Sequence, residues 1–231
     1  MGSVFETVLD AIFPSRCAGC FSLQKNGEML CVPCFNNVPL HQTLYCASCD
    51  ARLPDGKNIC HPTMPYVLGA ATSYHHDAVR TLIHQLKFKG AQKAAVPLAE
   101  LLVRFIAQLD PRPSFDMVLP VPLGIRRERV RGFNQSMLIA SRMASSLALP
   151  YAPHALKRIR ETTPQSEQGS RAERETNVAE CFVANADAYL GGKKILLIDD
   201  VATSGATLYA AASALKKAGA RRITALVAAR A

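Results

Sequence analysis

The chain has 231 residues, a hydrophobic fraction of 49% and a mean hydropathy of +0.07, enough to bury a core as one domain with an appendage or as two small domains. No apolar run approaches the roughly 20 residues of a membrane span, and the start, with Glu6 and Asp10, lacks the pattern of a secretory signal. A cytoplasmic protein is expected. The charge of +9 is uneven: residues 1–60 hold 4 Lys/Arg against 5 Asp/Glu, and the remainder 23 against 13. The excess belongs to the larger part, and it suits a polyanionic ligand, nucleic acid, or simple solubility.

Residues 1–12 read as a short amphipathic helix, with Val4, Phe5, Val8, Leu9 and Ile12 on one side. Cysteines then dominate: Cys17-x-x-Cys20, Cys31-x-x-Cys34, Cys46-x-x-Cys49 and Cys60, with only Cys181 elsewhere. Paired Cys-x-x-Cys turns suit structural zinc, because each presents two thiolates to one ion. Disulfides are the rival reading, disfavoured by the lack of an export signal. Cys17, Cys20, Cys31 and Cys34 make a complete four-thiolate set. The same spacing recurs at Cys46, Cys49 and Cys60, but the position where an eighth cysteine is due holds Thr63. His41 or His61 is the candidate fourth ligand; the alternative is a second site without metal.

The composition changes around Pro62 and Pro65, which places a boundary between a domain of residues 1–64 and one of 65–231. Residues 66–73 read as a strand. His75 and His76 read as solvated turn residues. Asp77 is the expected N-cap of a helix over 78–88, with Leu82, Ile83 and Leu86 inward, Arg80, Lys87 and Lys89 outward, and Gly90 as its stop. A second helix is expected over 97–109, with Pro97 in its first turn. Residues 115–121 form a buried strand. A basic loop follows, with Arg126, Arg127, Arg129 and Arg131 around Glu128. It lies beyond a strand's C-terminal end, where open parallel sheets bind ligands, and arginine forks suit phosphates. The alternative is a solvated loop. A helix over 134–149 then packs Met137, Leu138 and Met143. Residues 155–158 suggest a short strand. The polar stretch 160–171 has the length and composition of a lid. Arg174, Asn177 and Phe182 mark the return to the sheet.

Residues 195–198, Ile-Leu-Leu-Ile, read as a buried parallel strand. Asp199 and Asp200 end it, followed by Thr203, Ser204 and Gly205, and then a helix from Ala206 to Lys217. Strand, loop and helix start present backbone N–H groups and a favourable dipole to a phosphate. Thr203, Ser204 and Thr207 add hydroxyls. Two acids beside a bare phosphate would repel it. They make sense when the ligand also carries vicinal hydroxyls, so the expected ligand is a sugar phosphate. A last strand spans 222–228.

The stretch Asp199-Asp200-Val201-Ala202-Thr203-Ser204-Gly205-Ala206-Thr207 resembles the phosphoribosyl-pyrophosphate (PRPP) signature of type I phosphoribosyltransferases. Arg127-x-x-x-Arg131-Gly132-Phe133-Asn134-Gln135-Ser136, Leu86-Lys87-Phe88-Lys89-Gly90, Thr163-x-Gln165 and the knuckled cysteines extend the resemblance to the ComF (GntX-related) family of competence-associated proteins. The fold implied is α/β: a type I phosphoribosyltransferase-like parallel sheet flanked by helices, with a small N-terminal zinc ribbon. The resemblance further implies that Asp199 and Asp200 hold the ribose hydroxyls and serve catalysis, and that Thr203 to Thr207 hold the 5-phosphate. Arg126, Arg127 and Arg131 are candidate cofactor-binding residues, and in an enzyme that binds PRPP with magnesium the pyrophosphate is expected near Leu123 to Arg127. Cys17, Cys20, Cys31, Cys34, Cys46, Cys49 and Cys60 would be zinc ligands. The implied role is handling of single-stranded DNA in natural transformation, the alternative being phosphoribosyl transfer in nucleotide metabolism or salvage. The ribbon is then a candidate docking module for a competence helicase or translocase.

Overall fold

The computed structural model of the protein describes residues 15–24, 27–53, 60–160 and 181–231. The helix expected over 1–12, all but Arg160 of the lid, and Arg174 and Asn177 lie outside the described residues.

The architecture follows from two long strands whose central residues are apolar and buried on both faces. In β7 (Lys194–Ala202), Leu196 and Ile198 point to one face of the sheet, and Ile195 and Leu197 to the other, all fully buried. β8 (Arg222–Arg230) alternates likewise, with Leu226 and Ala228 on the first face and Ile223, Ala225 and Val227 on the second. A strand buried on both faces has no polar side to show, which is why it reads as a run without alternation. β3 (Val67–Ser73) pairs in parallel with β8, β8 with β7, and β7 with β4 (Met117–Pro120).

The helices cover both faces. On one lie α2 (Asp77–Phe88), α3 (Ala95–Gln108) and α5 (Gln135–Leu147), whose Leu82, Ile83, Leu86, Leu102, Phe105, Ile139 and Met143 fill the first core. On the other, α6 (Ala206–Lys217) packs Leu208 and Leu215 into a second core with Leu156 and Phe182. Those two residues belong to β5 (Leu156–Arg158) and β6 (Phe182–Ala184), which form a separate antiparallel pair. The chain after the polar stretch therefore returns to this small sheet, and not to the main one as the sequence suggested.

The cysteine-rich front end is built into the same body. After α1 (Val32–Asn36), the short strands β1 (Leu44–Cys46) and β2 (Arg52–Leu53) extend the sheet, giving the order β2-β1-β3-β8-β7-β4. β1 runs antiparallel to β3, pairing Cys46 with Val67. Cys17, Leu30, Val38, Leu44 and Leu53 share the first core with α2 and α3. At Gly69 a Cβ would lie 2.2 Å from Leu226, 2.9 Å from Phe105 and 3.0 Å from Leu44, so only glycine admits this overlap of strand, helix and front end.

Two local expectations change. Asp77 is the first helical residue and pairs with Arg80 at 2.6 Å, while His76 takes the cap position without a side-chain bond. The acid still favours the positive end of the helix. The basic segment after β4 is a helix, α4 (Ile125–Arg131), begun at Gly124 and closed by Gly132 in the left-handed region. None of its residues is buried, so it carries no apolar stripe from which a helix could be recognised.

Candidate anion cavity and metal centres

A cavity of about 850 Å³ opens at the C-terminal ends of β4 and β7. Asp199, Asp200, Thr203 and Thr207 line it, and so do Arg126, Arg127 and Arg131. The strand, the hydroxyl loop and the arginine segment thus converge on one hollow, at the sheet edge where parallel folds bind ligands. Ser204, Gly205 and Ala206 shape the turn into α6 without lining the hollow, and Arg129 also lies outside the lining. Gly205 has φ of +75°, and a Cβ there would sit 3.0 Å from the hydroxyl of Tyr66. The left-handed backbone favours glycine at the turn that aims the first N–H groups of α6, and the Tyr66 hydroxyl leaves little room for a side chain there.

The two acids are held differently. Asp199 Oδ1 accepts from the Ser136 hydroxyl at 2.7 Å and from the Asp200 N–H at 2.9 Å. Burial, and then the charge of Asp200, push the Asp199 carboxyl up to about 7, against the pull of Ser136. Asp200 is buried and forms an ion pair with Lys87 at 2.6 Å. Lys87 therefore turns into the cavity from α2, where helical periodicity had placed it outward. Arg158 of β5 also lines the wall. Arg158 lies in no motif, and Lys87, although part of Leu86-Lys87-Phe88-Lys89-Gly90, draws no site role from the sequence, since polar positions on amphipathic elements read as solvent-facing. Five cations (Lys87, Arg126, Arg127, Arg131, Arg158) thus surround two carboxylates, a lining that selects strongly anionic ligands.

The segment from Arg131 to Ser136 has a positioning role that its arginine hides. Asn134 caps α5 by accepting from the Ser136 N–H at 2.9 Å, and it donates to the Val121 carbonyl at 3.0 Å. That bond ties the helix start to the end of β4 and sets Ser136 against Asp199. Arg131 is in turn hydrogen-bonded to Gln135.

Outside the cavity lining, Cys17, Cys20, Cys31 and Cys34 bring their sulfurs within 4.8 Å of one another. The Cys17–Cys31 and Cys20–Cys31 sulfur separations are 3.5 and 3.7 Å. Tetrahedral zinc with Zn–S bonds of about 2.3 Å spaces its sulfurs by roughly 3.8 Å, so the donor set fits the ion. The second cluster is Cys46, Cys49, Cys60 and His61, with His61 Nδ1 at 3.4 Å from Cys46 and 3.3 Å from Cys60. His61, not Thr63, occupies the fourth corner. His41 is elsewhere, its ring edge-on to Tyr45 and its pKa lowered by burial. The two halves repeat in backbone as well. Phe21 and Asp50, each following the second cysteine of a knuckle, have φ of +62° and +59°, and their N–H groups bond back to Cys17 and Cys46 at 3.0 and 2.9 Å.

The phosphoribosyl transferase domain family matches residues 134–231, and the double zinc ribbon domain matches residues 8–64. The DNA utilization protein YhgH of Salmonella typhimurium is 29% identical over 213 residues, covering 90% of this chain and 86% of the relative. Competence protein F of Haemophilus influenzae is 26% identical over 220 residues, with 90% and 92% covered. Competence protein ComFC of Bacillus subtilis is 30% identical over 145 residues, with 63% and 56% covered. No helix among the described residues is long and apolar enough to cross a membrane. The chain is therefore similar to Competence protein F, ComFC and YhgH, with a front end that matches the double zinc ribbon domain and a C-terminal part that matches the phosphoribosyl transferase domain.

Proposed function

We propose that the protein binds PRPP with magnesium in the 850 Å³ cavity and takes part in handling single-stranded DNA during natural transformation. One observation carries the ligand assignment: acids, hydroxyls and arginines from separate parts of the chain line the same hollow. In this reading Thr203, Thr207 and the first N–H groups of α6 hold the 5-phosphate. Asp199 and Asp200 accept hydrogen bonds from the ribose hydroxyls, and Arg126, Arg127 and Arg131 grip the pyrophosphate. Magnesium, when bound, supplies charge neutralisation at the pyrophosphate. The two carboxylates and the cavity volume, within the usual range for small-ligand sites, suit this ligand. Isothermal titration with PRPP and Mg²⁺ is expected to give saturable binding that Asp199→Ala with Asp200→Ala abolishes. Undiminished binding by that variant refutes the assignment.

The DNA role is supported by the names of the relatives and by the exposed arginines of α4. Replacing Arg126, Arg127 and Arg131 by alanine should weaken single-strand binding in a gel-shift salt series. Each lost phosphate contact should lower the slope by about 0.7; an unchanged slope removes α4 from the DNA site. Catalysed phosphoribosyl transfer is the second reading, favoured by Lys87 and Arg158 lining the same hollow as the arginines. A cationic wall of this kind stabilises a departing pyrophosphate, while Asp199 and Asp200 steady charge on the ribose. Product analysis with PRPP and candidate acceptors tests it.

A further inference from the structure

Lys87 is the cation that the Asp200 carboxylate already holds. Its ammonium lies 2.6 Å from Asp200 Oδ2, with the Asp200 side chain 3% exposed and that of Lys87 23%. The lysine reaches there from the last turn of α2, a segment whose Phe88 and nearby Gly90 also border the cavity. A buried carboxylate facing the hollow thus has its charge already balanced from within the protein. A divalent ion and an ammonium cannot both approach one buried carboxylate without strong mutual repulsion. Arg126, Arg127 and Arg131, which line the same hollow, raise the cost of a further cation until an anion arrives.

We propose that Lys87 is a positioning residue that makes divalent-cation binding at Asp199 and Asp200 conditional on an anionic ligand. In the unliganded cavity it holds Asp200. A phosphorylated ligand draws the ammonium to its own oxygens, and the freed carboxylate then serves the metal. The chemistry of the side chain suits the task, because lysine is a point charge on a long rotatable stem and gives up one partner for another without breaking a bidentate fork. Asp199 is the fixed member of the pair, held by Ser136 and by the Asp200 N–H. By linkage, whatever the anion does for the metal the metal does for the anion. The proposal rests on the sugar-phosphate reading of the cavity.

The test is Mn²⁺ binding to the full chain, read by electron paramagnetic resonance, with and without saturating ribose 5-phosphate, which is itself a weak metal chelator. If Lys87 leaves Asp200 about one tenth of the time, the apparent Mn²⁺ affinity of the unliganded protein is reduced about tenfold. Lys87→Met should recover that factor without ribose 5-phosphate, and ribose 5-phosphate should then add less than it does in the wild type. Lys87→Arg, which keeps the charge, should stay close to the wild type. Lys87→Gln provides a second uncharged variant if Lys87→Met does not fold. Equal Mn²⁺ affinity of wild type and uncharged variants overturns the proposal, as does a wild-type affinity indifferent to ribose 5-phosphate. Calorimetry of ribose 5-phosphate in metal-free buffer separates the two layers. No binding there removes the cavity reading itself, whereas normal binding with no effect at Lys87 removes only this inference.

Discussion

The metal centres and the cavity are both built from a few polar groups, but they are assembled in opposite ways. Each centre takes its ligands from two short stretches: Cys17 to Cys20 with Cys31 to Cys34, and Cys46 to Cys49 with Cys60 and His61. The cavity draws on α2, α4, α5, α6, β5 and β7, and on the loops after β4 and β7, so its residues span Lys87 to Thr207. The first kind of site is written in local spacing. The second exists only after the sheet has formed. Damage should therefore spread differently from each.

The largest effect is expected at the first centre. Structural zinc contributes apparent folding free energies of about 10–16 kcal/mol in small domains, and Cys17 shares a core with α2 and α3. Cys17→Ser should lower zinc content by one equivalent and reduce the melting temperature of the whole chain. A variant that loses zinc yet melts as the wild type does would separate the front end energetically from the sheet. His61→Ala should be milder, lowering zinc occupancy at the second centre alone, as read by metal analysis. Full retention of zinc there would show that the three cysteines suffice.

In the cavity, Ser136→Ala removes a hydrogen bond to Asp199, an interaction of about 1.5–3 kcal/mol when one partner is charged. PRPP affinity should fall about tenfold or more, with zinc content unchanged. Unchanged affinity would leave Ser136 as a packing residue only. The pH dependence reads the same carboxylate without a substitution. The carboxyl of Asp199 is raised from 3.8 to about 7, so folding takes up a proton there between those values. The unliganded protein accordingly loses stability as pH rises through that window. Ligand affinity runs the other way, because ribose hydroxyls and metal need the ionised acid. PRPP binding should strengthen by up to about tenfold per unit towards pH 7 and then level off. Asp199→Asn should flatten this profile, and a profile that survives the substitution assigns the titration to another group.

The same contrast decides what could be read from the residues alone. The apolar run 195–198, the acids and hydroxyls after it, and the helix from Ala206 were legible because a doubly buried strand leaves no alternation and its loop chemistry is contiguous. All seven cysteines of the two clusters were legible by spacing, but His61 was not singled out from His41, because the repeat pointed to position 63. Lys87 and Arg158 were missed because a polar residue facing an internal hollow looks the same in sequence as one facing solvent. The arginine helix α4 was read as a loop because it buries nothing. β1 and β2, with three and two residues, fall below the length at which any periodicity registers; their addition to the sheet is a tertiary event.

That addition constrains how the molecule can be divided. Cutting the chain near position 65 would strip β1 from β3, leave one border of the parallel sheet with bare amide and carbonyl groups, and expose the notch over Gly69 that Leu44 covers. Unprotected borders of this kind invite pairing between copies. A C-terminal fragment is accordingly expected to self-associate unless it keeps the stretch from Leu44 to Leu53, which makes the metal-bearing end a chaperone for the sheet in cis.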